Sequence, residues 1–185
     1  MKYLMGIDQS IRSTGIVIVD ENLKLIESQL IVTLKDTKED NQRLEMIYEI
    51  KNQFFDILKK YNDIDIYIEG ISFSSNSKVK DFLIGLQYYL RMSLYESNYY
   101  SKIISVQHWR NKILKNRYDK EYLKELRKSK PDYKELCYSL LPEDVKKNFM
   151  ETEKNIDKEY KDFKLKSKKY QDLTDAYFIC ESQIT

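Results

Sequence analysis

Three short apolar runs open this chain, and they lie too close together for anything but neighbouring antiparallel strands. "KYLMGID", "TGIVIVDE" and "LKLIESQLIVTL" are rich in Ile, Val and Leu, and only a few polar residues separate them. A turn at Asp20-Glu21-Asn22 joins the second to the third. The period then changes. "NQRLEMIYEIKNQFFDILKKY" places Leu44, Ile47, Ile50, Phe54, Ile57 and Leu58 at helical spacing. "DIDIYIEG" alternates as a fourth strand and ends on Glu69. "SNSKVKDFLIGLQYYLRMSLYES" is a long helix, with Ser75 or Ser77 as its N-cap, and "KIISVQ" is a fifth strand.

A helix begins in "VQHWRNKILK". The segment 117–170 is helical and charged, with Pro131 and Pro142 near helix starts, and "YQDLTDAYFICESQ" is a closing helix. The order β-β-β-α-β-α-β-α…α predicts an α/β fold, a mixed five-stranded sheet flanked by helices on both faces. The first three strands form a meander, and strands four and five return through right-handed helical crossovers.

At 185 residues the chain suits one domain, 1–185, with 110–170 a basic helical extension within it. That segment holds 19 Lys/Arg against 12 Asp/Glu, whereas the remainder is net acidic. An acidic part beside a basic part suits a metal site next to a polyanion site. No apolar run has the length of a membrane span, and the start lacks a secretory apolar region. Cys137 and Cys180 have no zinc spacing, so a reducing, cytoplasmic setting is expected.

Only four glycines occur, Gly6, Gly15, Gly70 and Gly85, and they gather around two acids. Such scarcity marks places where the backbone cannot accept a Cβ. Asp8 ends strand one and Glu69 ends strand four. As parallel neighbours, these strands would bring both carboxylates to one sheet edge. Asp172 and Asp175, at i and i+3, share a face of the closing helix that can pack beside that edge. Four like charges at one place need compensation, and an all-carboxylate set suits Mg²⁺, or Mn²⁺ in its stead. Two such ions suit in-line attack of water on a phosphodiester, one activating the water and the other stabilising the leaving 3′ oxygen. The single histidine, His108, is read as structural, and Trp109 as a core residue.

"GIDQSIRSTG" resembles the opening motif of RuvC-type Holliday junction resolvases, "YIEGISF" their second motif and "QDLTDAYFIC" their closing segment. The likeness is greatest to the divergent bacteriophage members, whose opening often lacks a Pro-Gly pair. It implies an RNase H-like fold, a homodimer, and Mg²⁺-dependent paired nicking of four-way DNA junctions, the activity of a crossover junction endodeoxyribonuclease. It assigns Asp8, Glu69, Asp172 and Asp175 as the catalytic, metal-binding carboxylates. Phe73 becomes the candidate wedge at the junction centre. Arg110, Lys112 and Lys115 become DNA contacts, and Lys78 and Lys80, beside Glu69 in sequence, suit phosphate. The long helix would supply the dimer interface through Val79, Phe82, Leu83, Leu86 and Leu90.

Three rival readings remain beside this one. A less selective RNase H-like nuclease would cut flaps, forks and other branched DNA. A non-catalytic junction scaffold would tolerate loss of carboxylates, and all four are present. A phosphotransferase needs a second Gly-rich phosphate loop and a second domain, for which four glycines and 185 residues leave no room.

Overall fold

The computed structural model describes residues 1–33, 39–71, 77–129, 131–160 and 170–184, with the side chains of 77–79 and 159 left aside. Among the described residues there are five strands: β1 (Tyr3–Asp8), β2 (Ser13–Asp20), β3 (Leu25–Val32), β4 (Ile64–Glu69) and β5 (Ser101–Ile104). Seven helices accompany them: α1 (Asp40–Leu58), α2 (Ser77–Glu96), α3 (Val106–Arg117), α4 (Lys120–Ser129), α5 (Tyr133–Ser139), α6 (Glu143–Glu159) and α7 (Tyr170–Ile184).

The sheet runs β3-β2-β1-β4-β5. β1 pairs antiparallel with β2 and β2 with β3, whereas β1 with β4 and β4 with β5 are parallel. A meander followed by two helical crossovers is the expected order.

Alternation along the strands splits the apolar residues between two faces. Met5, Ile7, Ile16, Ile18, Ile66 and Ile68 pack against Ile50, Phe54 and Leu58 of α1 and against Leu86, Leu90 and Leu94 of α2. Leu4, Val17, Val19 and Tyr67 pack on the other side with Trp109 and Ile113 of α3, Cys137 of α5, Val145 and Phe149 of α6, and the apolar residues of α7. The basic 110–170 segment thus contributes side chains to the same core as the sheet.

One expectation needs correction here. Leu86 and Leu90, read as part of a dimer stripe, are 0% and 1% exposed, because α2 lays that face on the sheet and α1. Phe82 packs partly against the same cluster, and Leu83 is half-buried. Helical spacing alone does not distinguish a core face from an interface. The side chain of Val79 lies outside the described residues.

α7 is the element that completes the site, and glycine lets it approach. A Cβ built on Gly6 would fall inside the Ala176 carbonyl, and one on Gly15 would strike the backbone of Asp172 and lie 2.9 Å from the Leu173 nitrogen. The helix therefore rests on the bare backbones of β1 and β2. Any side chain at these two positions would lift its first two turns off the sheet.

Candidate metal centre

Register carries the acids together. Asp8 pairs with Gly15 across the antiparallel ladder, and in the parallel ladder Ile7 pairs with Ile68. The next residues along, Asp8 and Glu69, therefore leave the sheet side by side at the C-terminal ends of β1 and β4. α7 lays Asp175 over the same edge. One carboxylate oxygen from each of Asp8, Glu69 and Asp175 lies within 4.8 Å of the others.

Asp172 stands beside this trio with a different partner. Its Oδ2 accepts a hydrogen bond from Ser13 Oγ at 2.6 Å. The chain thus gathers three of the four expected carboxylates at one point and ties the fourth to the start of β2.

Electrostatics mark the place as costly. Burial, then the charges of Glu69, Asp172 and Asp175, push the Asp8 carboxyl well above the ordinary range. Burial, and next Glu69, lift Asp175 to about 7, although Arg110 and Lys134 pull the other way. Burial lifts Asp172 to about 6 against the opposing effects of the Ser13 hydroxyl and Lys134. A protein that crowds ionisable acids at such cost holds them for a cation or a proton.

The donor set fits a hard divalent cation. The cluster is carboxylate only, the ligand chemistry of Mg²⁺ and Mn²⁺. Next to it, Gln9 Oε1 is buried without a hydrogen-bond partner among the described residues, an orphaned oxygen beside Asp8.

The frame around Glu69 is dense. Its carbonyl accepts from Gln9 Nε2 at 3.3 Å and from Gln87 Nε2 at 3.0 Å, tying β4's end to β1 and α2. Its Oε1 accepts from the indole Nε1 of Trp109 at 3.0 Å. Ser105 caps α3 by accepting from the His108 amide, which fixes the start of the helix that carries Trp109 and Arg110. Arg110, the residue after Trp109, reaches Asp175 at 3.5 Å.

The other residues singled out in the sequence fall as follows. Lys112 is half-buried and Lys115 exposed, both farther along α3, and Lys80 is half-buried in the first turns of α2. Phe73 and the side chain of Lys78 lie outside the described residues. His108 is exposed, and Trp109 is fully buried, as a core residue should be.

Sequence reasoning missed Trp109 as a partner of Glu69, and Ser13, Gln9, Gln87 and Lys134 as neighbours of the acids. For Ser13 and Gln9 a signal existed, since both share the opening motif with Asp8. For Gln87, a polar residue next to the apolar face of α2 was the only hint. Lys134, which also donates to Gln171 at 3.0 Å, lies in the segment where spacing carries no register.

No protein-family model matches the chain, and no curated protein matches it in sequence. Solved structures do match. The structure of Thermus thermophilus RuvC in complex with a Holliday junction substrate superimposes with a TM-score of 0.59 at 10% identity, covering 98% of this chain and 92% of that one. Another T. thermophilus RuvC structure gives 0.57 at 13% identity, over 97% and 92%. The chain therefore has the RNase H-like α/β fold. Within that class its architecture is RuvC-like along nearly its whole length.

Proposed function

We propose that this chain is a divalent-cation-dependent endonuclease that resolves four-way DNA junctions by hydrolysis of phosphodiester bonds. The convergence of Asp8, Glu69 and Asp175 at one sheet edge carries this reading. The RuvC-like architecture supports the choice of substrate.

In this account Asp8, Glu69 and Asp175 hold the cation, with Mg²⁺ the expected ion and Mn²⁺ able to replace it. Bound there, a divalent cation supplies charge neutralisation at the scissile phosphate and a water acidic enough to attack near neutral pH. Two ions per site would bring in Asp172 through Oδ1, the oxygen that Ser13 does not hold. Gln9 and Gln87 hold the end of β4 in place, so that Glu69 meets Asp8 in one geometry. Arg110 neutralises Asp175 in the free protein and stands where it can exchange that partner for a DNA phosphate. Lys112, Lys115 and the other cations of 110–170 would grip the junction arms, with Lys78, Lys80 and Phe73 acting near the branch point.

A homodimer suits the two-fold symmetry of a four-way junction, each subunit cutting one strand. Since Leu86 and Leu90 are spent on the core, we place the interface on the outer side of α2. There Tyr88, Met92 and Tyr95 stand exposed at i, i+4 and i+7, with Tyr100 in edge contact with Tyr95. We take the whole chain, 1–185, as one nuclease domain acting in the cytoplasm, that of a bacterial host if a phage encodes it.

The test is a comparison of substrates. Symmetric nicks in a synthetic four-way junction, with flaps and linear duplex cut far more slowly, are expected. Equal cutting of flaps, forks and junctions would replace this proposal with a general branched-DNA nuclease.

A further inference from the structure

The tryptophan at the head of α3 has a fuller set of contacts than a core residue needs. Trp109 is 0% exposed, yet its one polar atom points at a carboxylate of the acid cluster, with Nε1 3.0 Å from Glu69 Oε1. One ring face stacks on Phe178, with centroids 6.2 Å apart and planes 11° from parallel. Phe178 lies on α7, three residues beyond Asp175. The guanidinium of Arg110 lies 5.0 Å from the indole centroid, and that same guanidinium reaches Asp175. A single side chain therefore touches Glu69 directly, the helix that carries Asp175, and the cation that pairs with Asp175.

We propose that Trp109 is a positioning residue for the metal site: its indole N–H holds Glu69 Oε1, so that the other carboxylate oxygen is presented to the cation. The inference rests on reading the acid cluster as a cation site, and it adds a residue which that reading did not contain. The chemistry follows from the donor count. Indole has one N–H and no acceptor, so it can bind Glu69 only through one oxygen and cannot compete for the metal. A glutamate has three side-chain torsions, and among like charges it would swing away from Asp8 and Asp175. A hydrogen bond to one oxygen from a ring clamped between strand and helix removes that freedom before the cation arrives. Partners that orient metal ligands in this way usually change metal affinity by roughly 10- to 100-fold when removed.

The chain holds one tryptophan, which makes a clean test possible. In a tryptophan-auxotrophic host, replacing tryptophan by benzothienylalanine exchanges the N–H for sulfur at this position alone and keeps the ring's shape. Mn²⁺ binding to the wild-type and substituted proteins is then measured by calorimetry, with Trp109→Phe as a second variant. Both changes should weaken Mn²⁺ binding by roughly 10-fold, and the Mg²⁺ concentration for half-maximal cleavage should rise with it. At saturating Mg²⁺ the cleavage rate of the benzothienyl protein should return to near the wild-type value. A merely structural role would lower the melting temperature and leave the Mn²⁺ affinity unchanged, and that result would overturn the inference.

Fluorescence of the wild type gives a second reading that needs no variant. Emission of the sole tryptophan should change with added Mg²⁺ at the calorimetric midpoint. Unchanged emission at saturation would also overturn the inference. Absence of any Mn²⁺ binding to the wild type would overturn the cation reading itself, and this proposal with it.

Discussion

Ser13 Oγ lies 2.6 Å from Asp172 Oδ2, and this bond turns the first acid of α7 toward β2 while the second, Asp175, faces Asp8 and Glu69. The two aspartates of one helix face therefore have unequal surroundings, and unequal effects on cation binding are expected. Asp175→Asn should weaken Mn²⁺ binding by about 10-fold or more, and Asp172→Asn by only a few-fold, both read by calorimetry. Equal losses would mean that Asp172 binds the first ion as directly as Asp175. Ser13→Ala should lower stability by about 1–2 kcal/mol in urea denaturation, since it strips a hydrogen bond from a carboxylate.

Gly15 and Gly6 set the height of α7 above the sheet. Gly15→Ala drives a methyl group into the Asp172 backbone, which cannot yield without moving the helix. The expected cost is about 3 kcal/mol or more, with a loss of nuclease activity larger than the loss of DNA binding. Gly85 is the control, because its Cβ would meet nothing closer than Ile47 at 4.0 Å. Gly85→Ala should match or exceed wild-type stability, since it adds helix propensity. A Gly15→Ala protein as stable as wild type would contradict the close approach of α7.

The acid cluster also predicts a pH dependence. Asp172 and Asp175, raised to about 6 and about 7, take up protons on folding, because the unfolded carboxyls titrate near about 4. Stability of the metal-free protein should therefore fall as the pH rises through the range between those values. A cation replaces the protons, so Mg²⁺ should raise the melting temperature at about pH 7.5 and have little effect at about pH 5. The slope should flatten in Asp175→Asn. A metal-free melting temperature that climbs over this range would contradict the crowding of the acids.

The dimer proposal makes its own prediction. Tyr95→Glu alters an exposed side chain of α2 and leaves Leu86 and Leu90 in the core. Sedimentation equilibrium should show a dimer for the wild type and a monomer for this variant, each with its melting transition intact. If Tyr95→Glu stays dimeric, the interface lies on another face.

Much of this was legible in the sequence because it depends on period and order. Short apolar runs marked β1 to β3 and an alternating run marked β4, and the order of strands and helices allowed the parallel pairing of β1 with β4, hence the meeting of Asp8 and Glu69. The glycines at 6 and 15 gave notice of tight backbone, though not of which helix would lie there. What stayed hidden depends on rotation and side-chain direction. The i, i+4 stripe of Phe82, Leu86 and Leu90 looks the same whether it meets a sheet or a second chain. Trp109 looked like core and is core, but no pattern in the chain reveals that its N–H points to Glu69. Nor does the shared helix face of Asp172 and Asp175 tell that Ser13 holds one oxygen of Asp172.

The most direct test of the central claim is cleavage of a synthetic four-way junction by wild type and by Asp8→Asn, each with Mg²⁺ or with EDTA. The account predicts paired, symmetric nicks near the branch point for the wild type with Mg²⁺, none with EDTA, and none for Asp8→Asn although it still binds the junction. Cleavage that persists in Asp8→Asn, or in EDTA, would contradict it.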